Sequence, residues 1–90
     1  MREQTRHTAT LIASDVVAEL AAQASDQFEL MLDRTIETKR GWVFFYNSSE
    51  FINTGNVTAA LAGNGPIFVA RDGEVIRIPS HTSWQSWLSA

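Results

Sequence analysis

Five successive positions, Trp42, Val43, Phe44, Phe45 and Tyr46, carry aromatic or large apolar side chains, and the chain then turns polar at Asn47 and Ser48. A strand with one face in water alternates apolar and polar residues, so an unbroken run of this kind needs cover on both of its faces. That requirement constrains everything around it. In 90 residues there is room for one domain and one central sheet. The second face must be covered by another element of the chain or by a partner.

The flanking sequence supplies the elements. Met1 to His7 is polar and reads as a flexible lead-in, and from Thr8 to Ser25 the residues Ile12, Val16, Val17, Leu20 and Ala21 recur at helical spacing in an alanine-rich background. Next, Phe28, Leu30, Leu32 and Ile36 fall on one side of a period-two pattern, with Glu29, Asp33, Thr35 and Glu37 on the other. This predicts a half-buried strand, joined through Lys39, Arg40 and Gly41 to the aromatic strand as an antiparallel hairpin. Trp42, Phe44 and Tyr46 then share one face, with Phe28, Leu30 and Leu32 beneath the helix, and Val43 and Phe45 take the other.

Residues 52–66 contain glycine, asparagine and proline around Ala59, Ala60 and Leu61, which predicts a loop holding one helical turn. Loops of this length usually carry function. Two apolar runs joined at Asp72-Gly73 predict a second hairpin with a two-residue turn. The chain closes with Trp84, Trp87 and Leu88 at helical spacing behind Ser80, Thr82 or Ser83 as N-cap. The expected fold is α+β: an N-terminal helix, a four-stranded, mostly antiparallel sheet built from two hairpins, and a short C-terminal helix, all in a single domain over residues 1–90.

Several functions are disfavoured. With seven Lys and Arg against ten Asp and Glu, and no basic cluster, the chain lacks the charge for neutralising nucleic-acid phosphates. No apolar run is long enough for a membrane span, and no signal peptide precedes the first helix, so a cytoplasmic location is expected. The absence of cysteine excludes a disulfide framework and thiolate metal sites. His7 and His81 lie at opposite ends of the chain without a neighbouring ligand, which makes surface histidines of them rather than a metal site. No nucleophile elbow surrounds any serine, Asn64-Gly65 leads into a strand instead of opening a helix, and the sequons at Asn47 and Asn56 read as turn chemistry. No catalytic residue, metal or cofactor is expected.

The block "GWVFFYNSSEFINTGNVTAALAGNGPIFV", followed by "GEVIRI" and "WQSWL", resembles the bacterial immunity protein thirty-five domain family, over Gly41 to Leu88. The resemblance implies a small non-enzymatic protein that binds and neutralises a toxin of a polymorphic toxin system, with a chaperone-like or regulatory binding module as the alternative. Against that background the candidate partner-binding residues fall into two groups. One is Phe45 on the second face, rimmed by Asn53, Asn56 and Asn64 and adjoined by Trp84, which docks a toxin or a second copy in a homodimer if the closing helix leaves it open. The other is an acidic line of Glu29, Asp33 and Glu37 along the first strand, which steers a basic toxin surface.

Overall fold

The computed structural model describes residues 3–61, 64–80 and 83–89. Helix α1 (Arg6–Gln23) begins two residues before the expected start at Thr8, because Thr5 caps it. The Thr5 hydroxyl accepts from the Thr8 amide at 3.2 Å and the Thr8 hydroxyl accepts from the Thr5 amide at 2.8 Å, which satisfies two otherwise orphaned donors. At the other end Ser25 takes the left-handed conformation at φ 53°, and the amides of Ser25 and Asp26 close back onto the carbonyls of Ala22 and Ala21. The buried row of α1 is Ala9, Ala13, Val17 and Ala21, with Ile12, Val16 and Leu20 half-buried on its flanks. Small side chains every fourth residue let the helix axis approach the sheet closely, while the larger ones close the seam.

The strands are β1 (Phe28–Leu30), β2 (Ile36–Glu37), β3 (Gly41–Phe44), β4 (Tyr46–Ser48), β5 (Ile67–Ala70) and β6 (Val75–Arg77). They form two antiparallel sheets, β2-β3-β5-β6 and the two-stranded β1-β4. Both predicted hairpins are present, but each differs in detail from its expectation. In the second, Ala70 faces Glu74 around the three residues Arg71, Asp72 and Gly73, with Gly73 at φ 94°, so the turn is one residue longer than expected.

The first hairpin is bent. At its turn Glu37 pairs with Trp42, and at its far end Phe28 pairs with Ser48, so the five residues Met31 to Thr35 stand opposite only Phe44 and Phe45. Three surplus residues leave the ladder as a 3-10 turn over Leu32–Arg34. The surplus is odd, so it inverts the side-chain parity of everything beyond it. Ile36 therefore pairs with Val43 and packs on the second face, and Leu32 is 56% exposed; neither lies beneath α1 as the period-two pattern predicted.

The aromatic strand needs cover on both faces and has it. Trp42, Phe44 and Tyr46 lie under α1 with Ile67 and Val69, and Phe28, Leu30, Leu61 and Val75 pack against them. Across the opposite face runs a row through all four strands, Ile36, Val43, Phe68 and Ile76, each the registered partner of the next. Helix α3 (Trp84–Ser89) lies on that row, with Leu88 buried and Trp84 and Trp87 half-buried beside Phe45 and Ile78. All four residues of β3 are buried. Gly41 opens β3 because a β-carbon there would collide with the Val69 carbonyl oxygen, and Gly65 is held equally close to the Ile78 carbonyl.

Between β4 and β5 the chain holds more structure than a loop. Helix α2 (Ser49–Thr54) is capped by Ser48, whose hydroxyl accepts from the Phe51 amide at 3.1 Å, and it ends at Gly55 with φ 74°. The Ser48 hydroxyl also donates to the Ala59 carbonyl at 2.6 Å, and the Asn47 side chain accepts from the Leu61 amide at 2.7 Å. These bonds stitch the 3-10 turn Val57–Ala59 to β4. Among the described residues no helix is long and apolar enough to cross a membrane.

Candidate functional site

The structure separates the residues expected to meet a partner. Phe45 sits where β3 passes into β4; its carbonyl accepts from the Met31 amide at 2.8 Å, and it is half-buried against the cluster of Val43, Phe68, Ile78 and Leu88. Trp84 is half-buried in the same cluster. Both belong mainly to the packing of α3 on the sheet. Thr82, one of the expected N-caps, lies outside the described residues, as does His81; Ser83 fills the capping role by accepting from the Ser86 amide at 3.1 Å.

The asparagines divide between structure and surface. Asn64 donates from its side chain to the Tyr46 carbonyl at 2.9 Å, which ties the end of the loop to β4. Asn56 accepts from the Thr58 amide at 3.2 Å and donates to Glu50 at 3.3 Å, so it caps the short turn that follows it. Asn53 is exposed on α2.

The acidic line does not exist as a line. Glu29 is registered with Asn47 and Glu37 with Trp42; since Trp42 and Tyr46 face α1 and Asn47 alternates with Tyr46, Glu29 and Glu37 project to opposite faces. Asp33 lies between them on the 3-10 turn, outside any strand. Glu37 is also already engaged. It accepts from Arg71 at 3.0 Å, and the same guanidinium donates to the Thr38 carbonyl at 2.7 Å and lies 4.3 Å from the Trp42 ring centroid. That cluster fastens the two hairpin turns together, with the Arg71 amide donating to Arg40 and the Gln4 amide donating to Arg71.

What sequence reasoning missed is the corner made by the 3-10 turn. Its exposed Leu32 stands between two grooves. One, of about 290 Å³, runs between β1 and the Thr10, Ser14 and Ala18 side of α1. The other, of about 470 Å³, lies between the turn and Phe51 and Ile52 of α2, with Asp33 and Arg34 at its edge. A signal for α2 was present in the Ser48 cap and in Gly55, a residue suited to the left-handed position that ends a helix. Nothing comparable marked the turn, because Leu32 continues the alternation of Phe28 and Leu30.

The described residues contain no group of three or more His, Cys, Asp or Glu able to hold a metal ion. What the corner offers is apolar contact edged by Glu29, Asp33 and Arg34.

No solved structure matches the chain. Among curated proteins, the uncharacterized protein YrhB of Escherichia coli (strain K12) is 43% identical over 37 residues, a stretch that covers 40% of this chain and 39% of that protein. The chain thus spans about two fifths of the length of the curated relative it matches. Family comparison reaches much further, since the family described as Immunity protein 35 matches residues 7–90, including the first helix and the bent hairpin as well as the aromatic strand and loop. The chain belongs to the Immunity protein 35 family.

Proposed function

We propose that this chain is an immunity protein that binds the toxin domain of a bacterial polymorphic toxin system in the cytoplasm and occludes it, without performing chemistry of its own. The observation that carries the reading is the family match over residues 7–90. The scaffold suits the task. An inhibitor that works by occlusion needs a rigid body, because each side chain or loop ordered on binding subtracts from affinity. Here both faces of the central sheet are packed within the chain, and the loop between the sheets is tied down through Ser48, Asn47 and Asn64. Surface features away from those packed faces are then left to carry recognition.

The test is co-expression with the toxin domain encoded by the neighbouring gene. Rescue of growth together with co-purification of a stoichiometric complex is the expected result. Growth arrest that persists with the soluble protein present would remove the reading. A chaperone-like module would instead suppress aggregation of unrelated proteins and give no selective rescue.

A further inference from the structure

The corner around Leu32 serves neither face of the sheet, and its chemistry says what fits it. Leu32 is turned outward by the 3-10 turn, and together with Leu30 it lines both grooves. A bulge of this kind re-aims a side chain at the cost of ladder hydrogen bonds. Here the side chain re-aimed is a leucine, and it is re-aimed into water.

Charge is segregated along the same axis. The carboxylates that line the two grooves are Glu29 and Asp33, both exposed. Arg34 is the single base next to Asp33 in the corner groove. Lys39, Arg40 and Arg71 gather at the other end of the hairpin, on the turns beyond β2, β3 and β5. Glu29 and Asp33 outnumber Arg34 among the charged residues lining the two grooves, so the corner favours a basic surface.

Backbone groups add direction. The β1-β4 ladder runs through Gln27, Glu29 and Met31, as the bonds from Ser49 to Gln27 and from Met31 to Phe45 show. The N–H and C=O groups of Phe28 and Leu30 consequently point to the outer edge of β1, which has no strand beside it among the described residues.

We infer that this corner is the docking site for the toxin, which presents to it a basic surface with an apolar contact for Leu32. The inference rests on the immunity reading above and names the surface that reading uses. A second copy of this chain is the poorer occupant, because apposing two such corners sets like charges against each other. In a complex, Leu32 provides apolar anchorage, Glu29 and Asp33 steer the encounter, and the β1 edge hydrogen-bonds to the docked surface.

The test uses the toxin domain from the neighbouring gene, titrated against the full chain and three variants whose thermal melts are recorded in parallel. Leu32→Asp should weaken binding about tenfold or more, as expected for losing the burial of one leucine and desolvating a charge, with its melt unchanged. The paired reversal Glu29→Lys/Asp33→Lys should slow association and flatten its salt dependence. Val57→Asp, at a residue 76% exposed and outside the corner, should bind like the parent. If Leu32→Asp fails to melt cooperatively, Leu32→Ala takes its place with the same direction of effect. A parent that binds no toxin removes both the immunity reading and this site. A parent that binds, with Leu32 variants binding equally well, removes the site alone. If Leu32→Asp dissolves a dimer and leaves toxin affinity intact, the corner belongs to a second copy and the inference is overturned.

Discussion

The two faces of the four-stranded sheet bury comparable apolar rows by different means. One lies beneath α1, a helix of 18 residues that touches the sheet through alanines and Val17 and is capped at both ends. The other lies beneath α3, a helix of six residues that buries Leu88 and keeps Trp84 and Trp87 half-exposed. A helix of two turns has no stability of its own and depends on its contacts. The first face is thus integral to the fold, whereas the cover of the second is an element that opens at lower free energy.

Removing a ring from the first face should break the molecule. Phe44 is fully buried between α1 and β5, and Phe44→Ala is expected to cost about 3–5 kcal/mol, comparable with the whole stability of a small domain. The expected outcome is loss of the cooperative thermal transition in circular dichroism. A melt within a few degrees of the parent would show that α1 does not depend on this face.

On the second face the corresponding truncation should be survivable. Leu88→Ala removes the one buried side chain described on α3, and the exposed edge of the cluster can relax, so about 2 kcal/mol is expected. The variant should still melt cooperatively. Its amide exchange should be faster in α3 and unchanged in α1. Equal acceleration in both helices would mean that the two covers form one cooperative unit and would erase the distinction.

Phe45 sharpens the contrast because it is the sequence neighbour of Phe44. It is only half-buried, so Phe45→Ser should cost about 1–2 kcal/mol and leave a folded protein. With the corner as the docking site, this variant should also keep its affinity for the toxin. A folded Phe45→Ser protein that no longer protects would return the second face to consideration as the partner surface.

How far these features were legible in the sequence follows the same division. Trp42, Phe44 and Tyr46 on one side and Val43 and Phe45 on the other were readable from alternation alone, since the parity of a strand survives small bends. The fate of Leu32 and Ile36 was not. A two-residue turn at Lys39 and Arg40 fixes one end of the first hairpin and the Ser48 cap of α2 fixes the other. The arms between these fixed points differ by three residues, so the longer arm must bulge. That constraint appears only when both ends are known, and α2 (Ser49–Thr54) straddles the start of the stretch 52–66 that reads as a loop. The candidate site is obscured for the same reason: alternation places Glu29 and Asp33 on a line with Glu37 that the bulge breaks.

The smallest expected effect tests how α3 is held. Arg40 lies on the turn between β2 and β3, and its guanidinium donates from Nη1 to the carbonyl oxygen of Leu88. A carbonyl in the last turn of a helix lacks an intrahelical donor, and it sits where the backbone dipoles leave partial negative charge, so a cationic donor there favours the helical form. Beside this bond is a groove of about 310 Å³ lined by Thr38, Trp84, Gln85 and the Arg40 stem itself, so the side chain also shields apolar surface. Because Arg40 is largely exposed, its net contribution should be about 1 kcal/mol or less. Arg40→Ala should therefore leave the melting temperature within a few degrees of the parent while accelerating amide exchange at Trp87 and Leu88. Arg40→Lys keeps the charge and much of the stem but not the planar guanidinium, and should fall between the two. If Arg40→Ala leaves exchange in α3 untouched, the helix is held by Leu88 and the tryptophans alone, and the second cover is less detachable than its length suggests.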